Sequence, residues 1–579
     1  MYQKIHKLIG SSFKKSFYLS WILSFISSLF EIFSIAILSF YVSLILDFDL
    51  ITNLNEFKFL KNFFDFQKYD QFETFILFSI FLCFFVLIKN LYLVFVIFYE
   101  NYIIYKIKLS NGSKLFNKYI NSPYSFFIKS NPSTLIRNLS GELDRSHLFI
   151  LQYFTIIREI LLTLFIFGLL SYSNLFITLI ALIIIIIFVV IYYFSFRKIL
   201  TKKGILTQSI EEKLMSVIHS TFNSIKVIKI FKIEEIYKSD HFNKLKQHGL
   251  SGLYPNLISK LPRYILEIVV ITIMVSVILL LNRYNENFQD NISLISIFAI
   301  SALRLIPAFT LIASCVSSIK NLEPSFENFV SEISNDNQDN KFENIEQEKL
   351  SKKIEFETPK SIRFENVNFM YDNNDKFTLK NINLEIKKNS ICGIVGESGS
   401  GKSTIVDILL GLLKPNSGKI LFDEKIIDYK TLFNNKVFGY VPQNIYLNEG
   451  SIKENIAFGV NNNEIDENKI KKLLKFVNLY DYVSGLNDYI DTKVNYLGSN
   501  FSGGQVQRLG IARSLYYDPK FVILDEATNS LDPQNEKMLL KELESMKTEV
   551  TFIVISHRDS TISACDKVYK IKNGLINEN

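Results

Sequence analysis

The run Leu175–Tyr193 constrains this chain more than any other feature. Its residues are Leu, Ile, Phe, Val and Ala apart from Thr178 and the closing tyrosines. At about 1.5 Å per residue in a helix, such a run crosses the roughly 30 Å hydrocarbon layer of a bilayer, and it exceeds what a soluble core helix usually needs. Five further apolar segments, Phe17–Leu46, Phe75–Phe98, Leu148–Leu170, Tyr264–Leu281 and Ile292–Ser318, are long enough to do the same. The sequence therefore predicts an α-helical six-span membrane domain over residues 1–330. Beyond a linker at 331–359 the composition becomes that of an ordinary soluble domain, 360–579. The 52 Phe and the 48% apolar content of the whole chain thus average two unlike halves.

Lys4, Lys7, Lys14 and Lys15 precede the first apolar run, which continues without a small-residue cleavage site and reads as a retained first helix. With that end in the cytoplasm, the long basic segments 99–147 and 194–260 also fall inside. Much of the net charge of +7 flanks the spans, so it reports topology and argues against a nucleic-acid partner. Coupling turns between membrane and cytoplasm are expected near Asn131–Leu135 and Thr221–Phe231. On the outer side, residues 47–72 set Phe57, Phe59, Leu60, Phe63, Phe64 and Phe66 among Lys58, Lys61 and Asp65. That pattern suits a helix lying at the bilayer surface, either as a brace or as a guide for a lipid tail. Cys83, Cys315, Cys392 and Cys565 form no CxxC pair or cluster, so neither zinc nor a disulfide framework is implied.

Charges inside the apolar spans are costly, about 2.5 to 3.5 kcal/mol each for Arg or Lys at a helix centre. Glu31, Lys89, Glu159, Arg263, Glu267 and Arg304 nevertheless lie in or beside them. Two readings stand at this point. The charges pair with one another and hold the bundle, or Lys89, Arg263 and Arg304 face a water-filled cavity and attract an anionic cargo, for which a pyrophosphate is a good match. Pro262 and Pro307, beside two of them, are expected to loosen their helices locally.

In the soluble half, the strand-like Ile391–Val395 runs into Gly396-Glu397-Ser398-Gly399-Ser400-Gly401-Lys402-Ser403-Thr404, a complete phosphate loop in strand, loop and helix context. Its glycines let backbone amides wrap phosphates, Lys402 meets the β and γ phosphates, and Ser403 ligates Mg2+. A second apolar strand, Phe521–Leu524, ends in Asp525 and Glu526. Asp525 suits the Mg2+ shell, and Glu526 suits the orientation and deprotonation of the attacking water.

The next motif, Asn500-Phe501-Ser502-Gly503-Gly504-Gln505 followed by Arg508, resembles the signature of the ABC transporter family, with Phe501 where Leu is usual. The resemblance implies a membrane domain of the type IV exporter kind fused to an α/β P-loop nucleotide-binding domain with a helical subdomain, using ATP and Mg2+. It implies that Ser502, Gly503, Gly504 and Gln505 close over the γ-phosphate held by a second protomer, so that a homodimer carries two composite sites. It further implies that Tyr371 stacks on adenine, that Gln443 senses Mg2+, that Asp532 makes a dimer contact and that His557 reaches the γ-phosphate. The stretch Val494–Ser499 before the signature departs from the usual exporter pattern, which points to different coupling contacts there.

Membrane domain before ATPase domain favours export or flipping and requires no separate binding protein. The chain also resembles the bacterial flippases of polyprenyl-pyrophosphate-linked oligosaccharides of N-glycosylation. Leu29-Phe30-Glu31-Ile32-Phe33, Leu261–Glu267 and Ile295–Ala308 carry that likeness, with Gly411–Pro415 and Pro442–Leu447 in the soluble half. The resemblance implies a lipid-linked glycan as cargo and the bacterial inner membrane as location. Export of another lipid, glycolipid or hydrophobic peptide is the rival reading, and an ATP-gated channel or sensor is the reading from another class.

Overall fold

The computed structural model describes residues 2–46, 71–284, 292–334, 359–371, 377–426, 436–495, 498–528 and 533–578. The chain forms two compact units, Met1–Ser122 with Lys129–Ile345, and Pro123–Ile128 with Glu346–Asn579.

In chain order the helices preceding the sheet domain are α1 (Tyr2–Leu46), α2 (Gln71–Ile120), the short α3 (Tyr124–Lys129) and α4 (Pro132–Arg137), α5 (Leu143–Ser173), α6 (Leu175–Asn223), the short α7 (Ile225–Phe231), α8 (Glu234–Tyr284) and α9 (Ile292–Ser334). All six expected spans fall in the long helices. In α1, α2, α6 and α9, and in the helical run from Pro132 through α5, the described residues include a stretch long and apolar enough to cross a membrane. The described residues of α8 alone do not make up such a stretch, and Tyr264–Leu281 occupies its C-terminal part.

The long basic inner segments are mostly helix, as expected of spans that extend into the cytoplasm. With 50 residues in α2, 49 in α6 and 51 in α8, each continues far beyond its apolar part, since a bilayer needs only about 20. On the opposite side, a single residue joins α5 to α6. Asn174 adopts an extended backbone there, and its side chain accepts from Ile177 N–H, so one residue both ends a helix and caps the next. The coupling turn expected at Asn131–Leu135 is the start of α4, capped by Asn131 on Ser133 N–H; the one expected at Thr221–Phe231 is the end of α6 plus α7.

Pro262 lies inside α8 and Pro307 inside α9, and both helices run through them. Neighbouring helices in a packed bundle can compensate the lost amide bond of a proline. The break in α1 comes instead at Gly10, whose φ of 68° lies in the region glycine tolerates. The outer segment 47–72 lies outside the described residues except for its last two, which open α2.

The first unit packs α1, α5, α6 and α9 around Ile35, Leu162, Ile166, Ile185, Leu305 and Ala308. Outward faces are as apolar as the core: Leu87, Leu91 and Val94 on α2, and Ile183, Ile187 and Ile191 on α6, are exposed. A helix apolar on every side is stable where lipid, not water, is its surroundings.

In the second unit, β1 (Ser361–Phe369), β2 (Leu379–Lys387) and β4 (Ser417–Phe422) form an antiparallel sheet in the order β2-β1-β4. The expected alternation shows in β1, where Ile362, Phe364, Val367 and Phe369 turn inward. The main sheet has the order β11-β10-β3-β9-β8-β5, built from β3 (Ile391–Gly396), β5 (Phe438–Val441), β8 (Phe521–Asp525), β9 (Thr551–Ile555), β10 (Lys567–Lys572) and β11 (Leu575–Glu578), while the short β6 (Gly450–Ser451) and β7 (Lys493–Val494) pair antiparallel apart from it. Its pairings are parallel except for the β10–β11 hairpin. Buried on both faces, β3, β8 and β9 read as continuous apolar runs.

Candidate functional site

Four parallel strands deliver the sequence motifs to one edge of the main sheet. The register pairs Ile394 with Ile555, Asp525 with Ile555, and Leu524 with Val441. The phosphate loop after β3, Gln443 after β5, Asp525 and Glu526 at the end of β8, and His557 after β9 therefore emerge side by side. Ligands of open parallel sheets bind at this carboxyl edge because the loops there diverge from a rigid base.

The phosphate loop is built by close backbone approach. A Cβ on Gly396 would lie 2.4 Å from the Ile571 carbonyl of β10. Gly399 and Gly401 take φ of 78° and 108°, and a Cβ on Gly401 would meet Leu379 at 2.6 Å. Gly401 is the N-cap of Lys402–Leu409, α10. Lys402 Nζ donates to the Gly396 and Glu397 carbonyls at 2.7 and 2.9 Å, and burial lowers its pKa against the pull of Glu526 and Asp525. Glu397 and Ser398 are exposed, while Thr404 is buried and its hydroxyl lies 3.2 Å from Tyr371 Oη. Ser400 Oγ is buried with no hydrogen-bond partner among the described residues. A glycine-lined cradle holding an unsatisfied hydroxyl and a buried ammonium fits a polyphosphate. Ser403, exposed at the start of α10, and the Asp525 carboxylate supply the hard oxygen donors that suit Mg2+.

Glu526 has φ of 53°, a left-handed conformation uncommon outside glycine, asparagine and aspartate. Its amide donates to Ile555 O at 3.0 Å, which ties the residue to the neighbouring strand end. Its carboxylate is bracketed: Gln443 Nε2 lies 2.7 Å from Oε2, and His557 Nε2 lies 3.4 Å from Oε1. Burial and the adjacent Glu526 charge raise the pKa of Asp525, whose carboxylate accepts from Tyr440 Oη at 3.4 Å.

The signature starts Gly503–Leu515. Between this helix and α10 lie Ile452–Ile456 (α11), Glu467–Phe476 (α12) and Tyr480–Ser484 (α13), so the signature helix is α14. Ser502 Oγ accepts from Gln505 N–H at 3.3 Å, and Gln505 Oε1 accepts from Ser502 N–H at 2.8 Å, a reciprocal capping box. Gln505, assigned above to the nucleotide with its neighbours, spends its side chain on holding the helix start. Ser502 and Gly503 remain exposed there. Asn500 clamps the preceding turn, accepting from Asn495 N–H and donating to Lys493 O. Tyr496, Leu497 and the dimer-contact candidate Asp532 lie outside the described residues.

Sequence reasoning missed a support behind His557. Glu536, on Pro533–Met546 (α15), is buried and accepts from Arg558, from Ser560 Oγ at 2.7 Å and from Thr561 Oγ1 at 2.8 Å. Burial pushes the Glu536 carboxyl up, but these hydrogen bonds and the Arg558 charge outweigh it and hold the pKa below the ordinary value. Arg558 and Ser560 beside His557 were visible in the sequence, whereas their partner lies more than twenty residues away. A second missed anchor is Arg513 of α14, which donates to the carbonyls of Asn455 and Tyr446 and to the Asn455 side chain, fastening the segment after Gln443 to the signature helix.

In the membrane unit, the Glu31 side chain is 6% exposed and lies 3.2 Å from Lys89 Nζ and 3.0 Å from an Arg304 terminal nitrogen. Lys89 and Arg304 are thus ion-paired through one carboxylate rather than free cations. Arg158 pairs with Glu100 at 2.6 Å and with Glu159 at 3.5 Å. Arg263 is exposed and has no ion pair among the described residues. Separately, an apolar cavity of about 190 Å³ opens between α6, α8 and α9, lined by residues that include Phe188, Tyr192, Leu266, Phe309, Ala313 and Val316.

Residues 21–303 match the ABC transporter transmembrane region family, and residues 379–529 match the ABC transporter family. A helical membrane domain followed by a nucleotide-binding cassette in one chain defines the class: this chain belongs to the ABC transporters and is a multi-pass membrane protein of the type IV exporter fold. Members of that class couple ATP hydrolysis to transport. An ATP-dependent lipid A-core flippase of Ralstonia nicotianae is 37% identical over 219 residues, 38% of this chain and 37% of the relative. A multidrug resistance ABC transporter ATP-binding and permease protein of Lactococcus lactis is 38% identical over 218 residues, again 38% of this chain and 37% of the relative. The aligned part therefore spans little more than a third of these relatives' length. A bacterial Atm1-family ABC exporter with ATP bound superimposes with a TM-score of 0.77 over 98% of this chain and 95% of that one, at 17% identity, a likeness of fold alone.

Proposed function

We propose that this chain works as a homodimer that hydrolyses ATP to move a phosphate-bearing amphiphile, a polyprenyl-pyrophosphate-linked oligosaccharide, from the inner to the outer leaflet of a bacterial inner membrane. The observation that carries the ATPase part is Glu526 held between Gln443 and His557 at the edge where the phosphate loop emerges.

In this reading the residues act as follows. The phosphate loop, residues 396–404, binds the nucleotide phosphates, with Lys402 exchanging its contacts to the loop carbonyls for phosphate oxygens. Tyr371 packs on the base. Ser403, Asp525 and Gln443 hold Mg2+, which would withdraw charge from the phosphates. Glu526 orients and deprotonates the attacking water, and His557 donates to the γ-phosphate. Ser502, Gly503 and Gly504 of the second protomer complete each site with amide donors and the positive end of α14, Gln505 keeping that end in shape. Asp532 contacts the partner. Closure of the two cassettes reverses the access of the membrane domain, and hydrolysis resets it.

Polar and apolar features of the membrane unit support an amphiphile as cargo. Lys89 and Arg304 supply cationic donors at the Glu31 cluster, and Arg263 lies one helical turn from Leu266, which lines the apolar cavity. A charged headgroup and a hydrocarbon tail each find matching chemistry. Reconstitution in liposomes with lipid-linked oligosaccharide tests this. ATP turnover stimulated by that lipid, with headgroups becoming accessible outside, is expected. Stimulation by a neutral lipid or hydrophobic peptide alone would transfer the reading to another exporter, and ion conductance without lipid movement would favour a channel.

A further inference from the structure

Two buried ion clusters among the described residues of the membrane unit differ in their balance of charge. Arg158 and Glu100 meet at 2.6 Å, and Ser24 adds a hydrogen bond to Glu100 at 3.2 Å. Such a short, supplemented pair is what a structural tie between helices requires. Glu31 is different. One carboxylate from α1 faces two cations from two other helices, Lys89 on α2 and Arg304 on α9, at 3.2 and 3.0 Å.

Donors outnumber acceptors at this second cluster. Arg304 Nε and, one turn earlier on α9, Ser301 Oγ are buried with no hydrogen-bond partner among the described residues. An ammonium offers three donors and a guanidinium five, while a carboxylate brings a single charge. Glu159, the next carboxylate, lies within electrostatic reach of Arg304 and Glu31, but its ion pair is with Arg158, through Oε1 at 3.5 Å, and its Oε2 is buried with no hydrogen-bond partner among the described residues, so it does not meet the Arg304 donor. Leaving buried donors unmet costs free energy, so a group with more charge and more acceptor oxygens than Glu31 would be bound better by the same cations.

The geometry points to Glu31 as a built-in counter-ion that occupies Lys89 and Arg304 and must be displaced by the cargo's phosphate or pyrophosphate headgroup. This inference rests on the amphiphile reading above and adds the residue that sets its selectivity. Headgroups with no more net charge than the single Glu31 carboxylate cannot outcompete it, whereas a multiply charged phosphate ester can. Glu31 thereby excludes zwitterionic and neutral membrane lipids, which surround the protein in large excess.

The test measures equilibrium binding of farnesyl pyrophosphate to the full-length chain in phosphatidylcholine vesicles, with farnesol as the uncharged control. Glu31→Gln should tighten farnesyl pyrophosphate binding by about tenfold, the loss of one charge-assisted competitor, and leave farnesol unchanged. A merely structural carboxylate would give unchanged or weaker binding in the variant, and that result overturns the inference. Binding to the parent without a gain in the variant overturns the inference alone. No binding to either protein overturns it together with the phosphate-headgroup reading. Should Glu31→Gln fail to fold, the charge-matched double variant Glu31→Gln/Lys89→Gln should bind more tightly than Lys89→Gln alone; equal or weaker binding again overturns the inference. Inorganic pyrophosphate added as competitor separates the sources: competition supports displacement by a free anion as well as by a headgroup, and its absence supports the lipid-borne headgroup.

Discussion

Gln443 Nε2 lies 2.7 Å from Glu526 Oε2, although the two residues stand at the ends of different strands, β5 and β8. The contact aims the carboxylate of a residue whose backbone is itself in an uncommon conformation, at φ 53°. Such local strain persists where surrounding structure enforces it, here through the Glu526 amide bond to Ile555 and the bracket of Gln443 and His557.

Glu526→Gln keeps the size and the hydrogen bonding but removes the base. Steady ATP turnover should fall by roughly 10² to 10⁴, the range of a positioned general base, while nucleotide binding measured by equilibrium titration stays within a few-fold. Turnover near the parent's would remove Glu526 from the role proposed for it.

The capping box at Ser502 separates a stability effect from a functional one. Ser502→Ala loses the bond to Gln505 N–H and should cost about 1 kcal/mol in chemical denaturation, as N-cap serines generally do. Gln505→Ala leaves Ser502 in place but loosens the helix start. It should weaken ATP-driven association of the cassettes, read by crosslinking or light scattering, with little change in nucleotide affinity.

Behind His557, Glu536 is 6% exposed while Arg558 is 32% exposed. Glu536→Ala would strand a partly buried guanidinium and two hydroxyls, so a loss of about 2 to 3 kcal/mol is expected, below the full cost of breaking a wholly buried pair. ATP turnover should drop with it because the loop bearing His557 loses its anchor. Unchanged stability would show that the anchor carries no weight.

Asp407 on α10 gives a pH signature in the nucleotide-free protein. Burial, then the Asp525 charge, pushes its pKa up from 3.8 to about 6. A carboxyl with its folded pKa above its unfolded one holds its proton more tightly when folded, so stability falls as pH rises from about 4 to about 6 and the full penalty persists above that. Asp407→Asn removes the penalty. Near neutral pH the variant should gain about 1 kcal/mol after discounting for solvent screening, and the gain should vanish near pH 4, both read by thermal unfolding.

Much of the nucleotide site was legible because its chemistry is local. The phosphate loop needs consecutive residues, glycines where Cβ atoms would collide, and an adjoining strand and helix, all of which one stretch of sequence displays. The Ser502–Gln505 box carries a local signal as well, a serine followed three residues later by glutamine, although the family resemblance gave Gln505 to the nucleotide instead. The Glu536 anchor and the Arg513 clamp on Asn455 were not, because each joins residues distant in sequence through contacts that no periodicity encodes. In the membrane unit, apolar length announced the spans, and short outer turns beside long inner segments announced that the helices extend beyond them.

Alone, the sequence determined the two kinds of unit, the spans, the charged groups within them and the candidates for phosphate binding, because hydrophobic length and short motifs are properties of contiguous residues. Only tertiary structure decided that Lys89 and Arg304 share one carboxylate, and that Gln443, Glu526 and His557 converge. Those outcomes depend on helix rotation and strand register, which arise from packing of the whole unit, and a rotation of a few tens of degrees or a slip of one residue would have separated the same side chains.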